Sequence, residues 1–133
     1  MADHPRLKSE QFQVMPNYPP ASWYDMARKK NGLPGKIRCI YIGSISISDT
    51  YVVEFCEWVK KQNGAVQFDI YCYNFHQSAL DYLKNLDDEN FRLFESGLEY
   101  ETIPEVLAGY DVGIIFYKAT TTNLRYNAPN KLF

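Results

Sequence analysis

Apolar positions in this chain alternate between two spacings, and each change of spacing marks a change of element. Ile37 to Ile42 (Ile-Arg-Cys-Ile-Tyr-Ile) is apolar almost throughout, as expected of a buried strand, and Gly43-Ser44-Ile45-Ser46 is its turn. Val52, Phe55, Cys56 and Val59 then recur at i, i+3, i+4 and i+7. That spacing predicts a helix from Tyr51 to about Gln62, capped by Thr50 and ended by Asn63-Gly64. Val66 to Tyr73 reads as a second strand, and Ala79, Leu80, Leu83 and Leu86 place a second helix at about 77–86. Phe91 to Phe94 is a short third strand, followed by Ser96-Gly97. Thr102-Ile103-Pro104-Glu105 combines a capping box with a proline in the first turn, where its missing N–H costs nothing. Val106 and Leu107 give that third helix its buried side, Gly109 ends it, and Val112 to Tyr117 is a fourth strand.

The order β-α-β-α-β-α-β with short connections implies right-handed crossovers and a mainly parallel sheet covered on both faces. The predicted fold is α/β, a Rossmann-like three-layer domain over 36–133. Residues 1–35 differ in character and read as an N-terminal tail and interdomain linker. Phe12 to Met15 alternates enough for a strand, Pro16-Asn17-Tyr18-Pro19-Pro20 stops it, Trp23 to Lys30 has room for one or two helical turns, and Pro34-Gly35 closes the section. At the other end, Asn127 to Phe133 starts a helix whose apolar side, Leu132 and Phe133, has just begun. The domain is therefore expected to be incomplete at its C-terminus.

Composition removes several function classes. At 133 residues and 46% hydrophobic, one domain with a real core is the natural count. A formal charge of -2 leaves no electrostatic footprint for nucleic acid or an acidic membrane. Lys60-Lys61 suits the C-terminal turn of a helix, and Arg28-Lys29-Lys30 a solvated helix end. Cys39, Cys56 and Cys72 lack C-x-x-C spacing and lie in apolar runs, so they read as small buried hydrophobes of a reducing, cytoplasmic protein. His4 and His76 are the two histidines, too few for a zinc site and poorly placed to activate a thiol. No run is long and apolar enough to span a membrane, and no signal peptide is evident.

In an open parallel sheet, ligands bind beyond the carboxyl ends of the strands, near the switch in strand order. That rule selects the loops Gly43–Asp49, Tyr73–His76, Glu95–Thr102 and Lys118–Asn130. Gly43-Ser44 feeds a helix N-terminus, where backbone N–H groups can approach a phosphate; a tight strand-to-helix turn also asks for glycine on its own account. Neither G-x-G-x-x-G nor a P-loop is present. Around Gly97 and Leu98 a base can bond to backbone, and Tyr100 either stacks on it or packs as a staple on the following turn. The fourth loop is long and polar, and Lys131 beyond it is a plausible diphosphate partner.

The segments Tyr41-Ile42-Gly43-Ser44-Ile45-Ser46, Tyr100-Glu101-Thr102-Ile103-Pro104-Glu105-Val106-Leu107, Tyr110-Asp111-Val112-Gly113-Ile114 and Asn130-Lys131-Leu132-Phe133 occur in a particular order and spacing. Together with Pro16-Asn17-Tyr18-Pro19, this resembles the C-terminal, donor-binding domain of retaining, nucleotide-sugar-dependent glycosyltransferases of the two-Rossmann-domain (GT-B) type. The resemblance covers nearly the whole chain after the first dozen residues. It implies a nucleotide diphosphate sugar as donor substrate, with no other cofactor and no metal. It puts Gly43 and Ser44 near the diphosphate, Gly97, Leu98 and Tyr100 near the base, and Asn130 and Lys131 near the diphosphate or sugar. Asp111 is expected to orient the strand entry, and no residue is assigned as catalytic. Two departures stand out: no basic residue follows the Gly43 turn, and the glutamate that relatives place after Asn-Lys-Leu-Phe, with the acceptor domain, is not in this chain.

The expectation is a donor-binding fragment, inactive alone, of an enzyme of polysaccharide or glycoconjugate synthesis. The competing reading is a stand-alone, flavodoxin-like module that binds a nucleotide or a protein without catalysis. An incomplete sheet also predicts self-association through an unprotected edge.

Overall fold

A computed structural model describes residues 19–27, 35–86 and 88–126. Strands β1 (Ile37–Ile42), β2 (Val66–Tyr71), β3 (Phe91–Phe94) and β4 (Val112–Gly113) form one sheet in the order β3-β2-β1-β4, with every pairing parallel. Helices α1 (Ala21–Ala27), α2 (Val52–Lys60), α3 (Gln77–Lys84), α4 (Ile103–Leu107) and α5 (Thr122–Tyr126) complete it. This is the α/β, Rossmann-like three-layer architecture that the periodicity predicts.

The two faces of the sheet differ because side chains alternate along each strand. Cys39, Tyr41, Phe68 and Ile70 point to one face and are sealed by Val52, Cys56 and Val59 of α2 and by Ala79 and Leu83 of α3. Phe68 and Phe116 meet edge to face at 6.2 Å, and Tyr41 stacks on Phe116 at 4.6 Å. All three cysteines are free and buried in this layer, and burial pushes the Cys56 thiol up to about 12. They are packing residues, as their apolar surroundings suggested. The opposite face carries Arg38, Asp69 and Arg92 and is reached by Tyr110, just after α4; α1 packs on α4 in turn.

Local signals held where backbone conformation required them. Asn63 (φ 51°) and Gly64 (φ 82°) both occupy the left-handed region and turn the chain from α2 into β2. Predicted caps did not form. Thr50 Oγ1 donates back to Ser46 O at 2.6 Å, and α2 begins at Val52 with no side-chain cap. Thr102 Oγ1 donates to Glu99 O at 2.8 Å, because a 3₁₀ turn (Tyr100–Thr102) precedes α4 and absorbs that hydroxyl. The fourth strand is shorter than predicted. It leaves the ladder after Gly113, and Tyr117 instead bridges to Thr50 in antiparallel fashion. The loop after it is not structureless, since it carries α5. The predicted strand at Phe12–Met15, the residues Arg28, Lys29 and Lys30, His4, and the helix start from Asn127 with Asn130 and Lys131 all lie outside the described residues.

Candidate functional site

With all four strands parallel, their carboxyl ends share one edge of the sheet, and the loops that leave them touch in series. The loop after β1 runs beside the loop after β2: Ile45 N–H donates to Asn74 O at 3.3 Å, and His76 N–H donates to Ile45 O at 3.1 Å. The loop after β2 meets the loop after β3 where the Tyr73 side chain lies against Gly97; a Cβ on Gly97 would stand 3.2 Å from it. The loop after β4 is fastened to the loop after β1. Tyr51 N–H donates to Phe116 O at 2.8 Å and Lys118 N–H to Asp49 O at 2.6 Å. The result is a continuous rim, with the topological switch between β1 and β4 toward its β4 end.

The predicted residues among those described can be placed on or off that rim. Gly43 (φ 145°) follows β1 and uses its N–H on Tyr71 O at 3.0 Å, so that amide is committed to the sheet. Ser44 is exposed, and its carbonyl accepts from Tyr41 Oη at 2.6 Å. Gly97 (φ 69°) turns the chain after β3, with Leu98 half-buried beside it. Tyr100 packs across to another element. Its ring lies against Trp23 of α1, with centroids 4.7 Å apart. The structure thus brings Gly43, Ser44, Gly97 and Leu98 to one edge and leaves Tyr100 partly covered. Asp111 holds the entry to β4, as expected: its carboxylate accepts from Arg38 N–H at 2.9 Å, and its own N–H donates to Arg38 O at 2.9 Å.

Lys118 was not singled out from the sequence. Its ammonium donates to Ile47 O at 3.0 Å, pairs with Glu54 at 3.3 Å and sits 5.2 Å from the centroid of the Tyr51 ring. Glu54 accepts its own backbone N–H, which, with Lys118, holds its carboxyl below the usual range. Part of the positive end of α2 is therefore already met by a side chain of the same helix. Thr120 donates to Asp49 at 3.0 Å, chiefly for which reason that carboxyl also sits low. The available signal for Lys118 was a single cation within an otherwise uncharged run from Val112 to Leu124.

A second polar cluster lies away from the rim on the face opposite α2. Asp69 is fully buried; Arg92 donates to both its oxygens (3.0 and 2.6 Å), Gln67 at 2.8 Å and Tyr110 Oη at 2.5 Å. Arg38 adds a longer ion pair at 3.8 Å and lies over the Tyr110 ring at 4.5 Å. Burial pushes the Asp69 carboxyl up, but these hydrogen bonds and the Arg92 charge outweigh it and hold the group below its ordinary value. Burial and the Asp69 bond push Tyr110 the other way, so it stays a donor. With each carboxylate oxygen occupied, this cluster is structural. Among the described residues no group of histidine, cysteine and carboxylate side chains could hold a metal ion, and no helix is long and apolar enough to cross a membrane.

Comparison of the chain with models of known families, with curated proteins and with solved structures gives no match. The functional reading therefore rests on the residues and their geometry.

Proposed function

We propose that this chain is the donor-binding part of a retaining glycosyltransferase, holding a nucleotide diphosphate sugar across the carboxyl ends of its strands. The observation that carries the reading is the unbroken rim of four strand-end loops, which includes the β1/β4 switch toward its β4 end. The reading is supported by Gly43-Ser44 following β1 and Gly97-Leu98 following β3 on that rim. In this reading the diphosphate lies over Ser44 and the approach to α2 and the base lies toward Gly97 and Leu98, while the resemblance assigns Asn130 and Lys131, outside the described residues, to the diphosphate or sugar. Catalysis is then mainly electrostatic, through donors aimed at the departing diphosphate. The sugar acceptor is bound by a separate domain, so this chain by itself transfers nothing.

The test is titration of the chain with uridine and guanosine diphosphates, followed by amide chemical shifts. Perturbations are expected at residues 43–49, 95–100 and 114–120, together with no turnover of any labelled nucleotide sugar. Shifts confined to the Asp69 face, or no response to either nucleotide, would refute the reading. Turnover by this chain alone would refute the division of labour. The strand order argues against a flavodoxin-like module, in which β3 lies beside β1, since here β2 lies between them; a binding module without catalysis would instead bind nucleotides with an affinity unaffected by an attached sugar.

A further inference from the structure

The described residues expose several large aromatics, and most have a local explanation. Tyr100 packs against Trp23, Tyr51 lies under the Lys118 ammonium, and Trp58 stacks on Phe55 at 5.4 Å along α2. Tyr24 sits on α1, which packs against α4, and Tyr126 closes α5 with no ring contact or side-chain hydrogen bond among the described residues. Tyr73 is different. It stands on the rim directly after β2, is 73% exposed, and is nevertheless held in place.

The support comes from Gly97. A Cβ there would lie 3.2 Å from Tyr73 Cβ, 3.2 Å from Cδ1 and 3.6 Å from Cγ. The absence of a side chain at Gly97 therefore lets the tyrosine rest on the backbone of the neighbouring loop. Two residues earlier, Tyr71 stacks on Phe94 at 4.1 Å with the rings 3° from parallel, which stiffens the ends of both strands. A largely exposed aromatic side chain supported near its base by glycine backbone can serve as a stacking platform.

Resting on the donor-binding reading above, we infer that Tyr73 is the surface on which the nucleoside base of the donor stacks, with Gly97 as its support. This moves the aromatic role from Tyr100, whose ring already packs in part against Trp23, to a residue on the loop after β2. Stacking tolerates any base, so Tyr73 supplies affinity for the nucleoside and leaves base identity to hydrogen bonds from the backbone near Leu98. A diphosphate lacking a nucleoside gains nothing from Tyr73.

The experiment compares wild type, Tyr73→Ala and Tyr73→Phe in binding uridine diphosphate, guanosine diphosphate and inorganic diphosphate by calorimetry. Amide spectra of each variant check the fold. Tyr73→Ala is expected to weaken both nucleotides about tenfold or more and to leave inorganic diphosphate unchanged, while Tyr73→Phe binds all three like wild type. Equal loss for nucleotides and inorganic diphosphate would mean a structural role and overturn the inference. Unchanged nucleotide binding by Tyr73→Ala would overturn it too, while leaving the donor-binding reading intact. Wild type that binds neither nucleotide removes both.

Discussion

Asp69 is buried in the centre of β2 with Arg92, Gln67 and Tyr110 bonded to it, and its replacement is the most informative point mutation in the scaffold. Asp69→Asn leaves the Arg92 and Arg38 guanidinium groups without their counter-charge. About 3 kcal/mol of stability should be lost in urea unfolding at neutral pH, the low end for breaking a buried pair, because half of the Arg92 side chain still faces water. The folded carboxyl is depressed below its ordinary value. Its contribution is therefore complete above the unfolded value of about 3.9 and drains away as pH falls through the lower folded one. Wild type and Asp69→Asn should converge in stability below about pH 4, and a gap that widens on acidification would contradict this assignment. The sequence offered half of this picture. Val66, Phe68 and Ile70 marked the apolar side of β2, but apart from Gln67 the partners of Asp69 come from positions 38, 92 and 110, and no local pattern joins them.

At the scale of elements, helices and strands were legible from spacing, whereas their ends were not. The i, i+3, i+4, i+7 stripe of α2 does face the core, yet Thr50 and Thr102 spend their hydroxyls on the turns that precede their helices. Capping motifs assume that the chain enters the helix extended, and Thr102 enters with helical dihedrals instead. The fourth strand looked long because Ile114 to Tyr117 keeps strand-like composition. In the fold that stretch crosses to the loop after β1 and becomes a strap. Lys118 is the fastening of that strap. Lys118→Ala should speed hydrogen exchange at the Tyr51 and Lys118 amides while lowering global stability by only about 1 kcal/mol, the net worth of a typical hydrogen bond. Unchanged protection at both amides would show that the backbone bonds hold without the side chain.

At the scale of the whole fold, the sheet order β3-β2-β1-β4 leaves two open edges of different character among the described residues. The β3 edge carries Arg92 and lies near the Lys84–Glu95 ion pair, charges that discourage pairing with another sheet. The β4 edge carries none: Val112 is 41% exposed, and the run from Val112 to Tyr117 is uncharged. Self-association is expected to proceed through β4 and to be suppressed by Val112→Lys, read by light scattering over a concentration series. A wild-type chain that stays monomeric at high concentration would rule this out. The layer architecture was evident from periodicity alone, because alternation of strand and helix spacing admits few other arrangements. The contact between Tyr73 and Gly97 was not, since only the folded chain brings those two loops together.

The strap across the loop after β1 has an energetic corollary for any guest at the strand ends. Segments anchored at both flanks have already surrendered most of their wandering before a guest arrives. Recognition there should proceed with a small entropic penalty and little rearrangement of the floor beneath it, whatever molecule it receives.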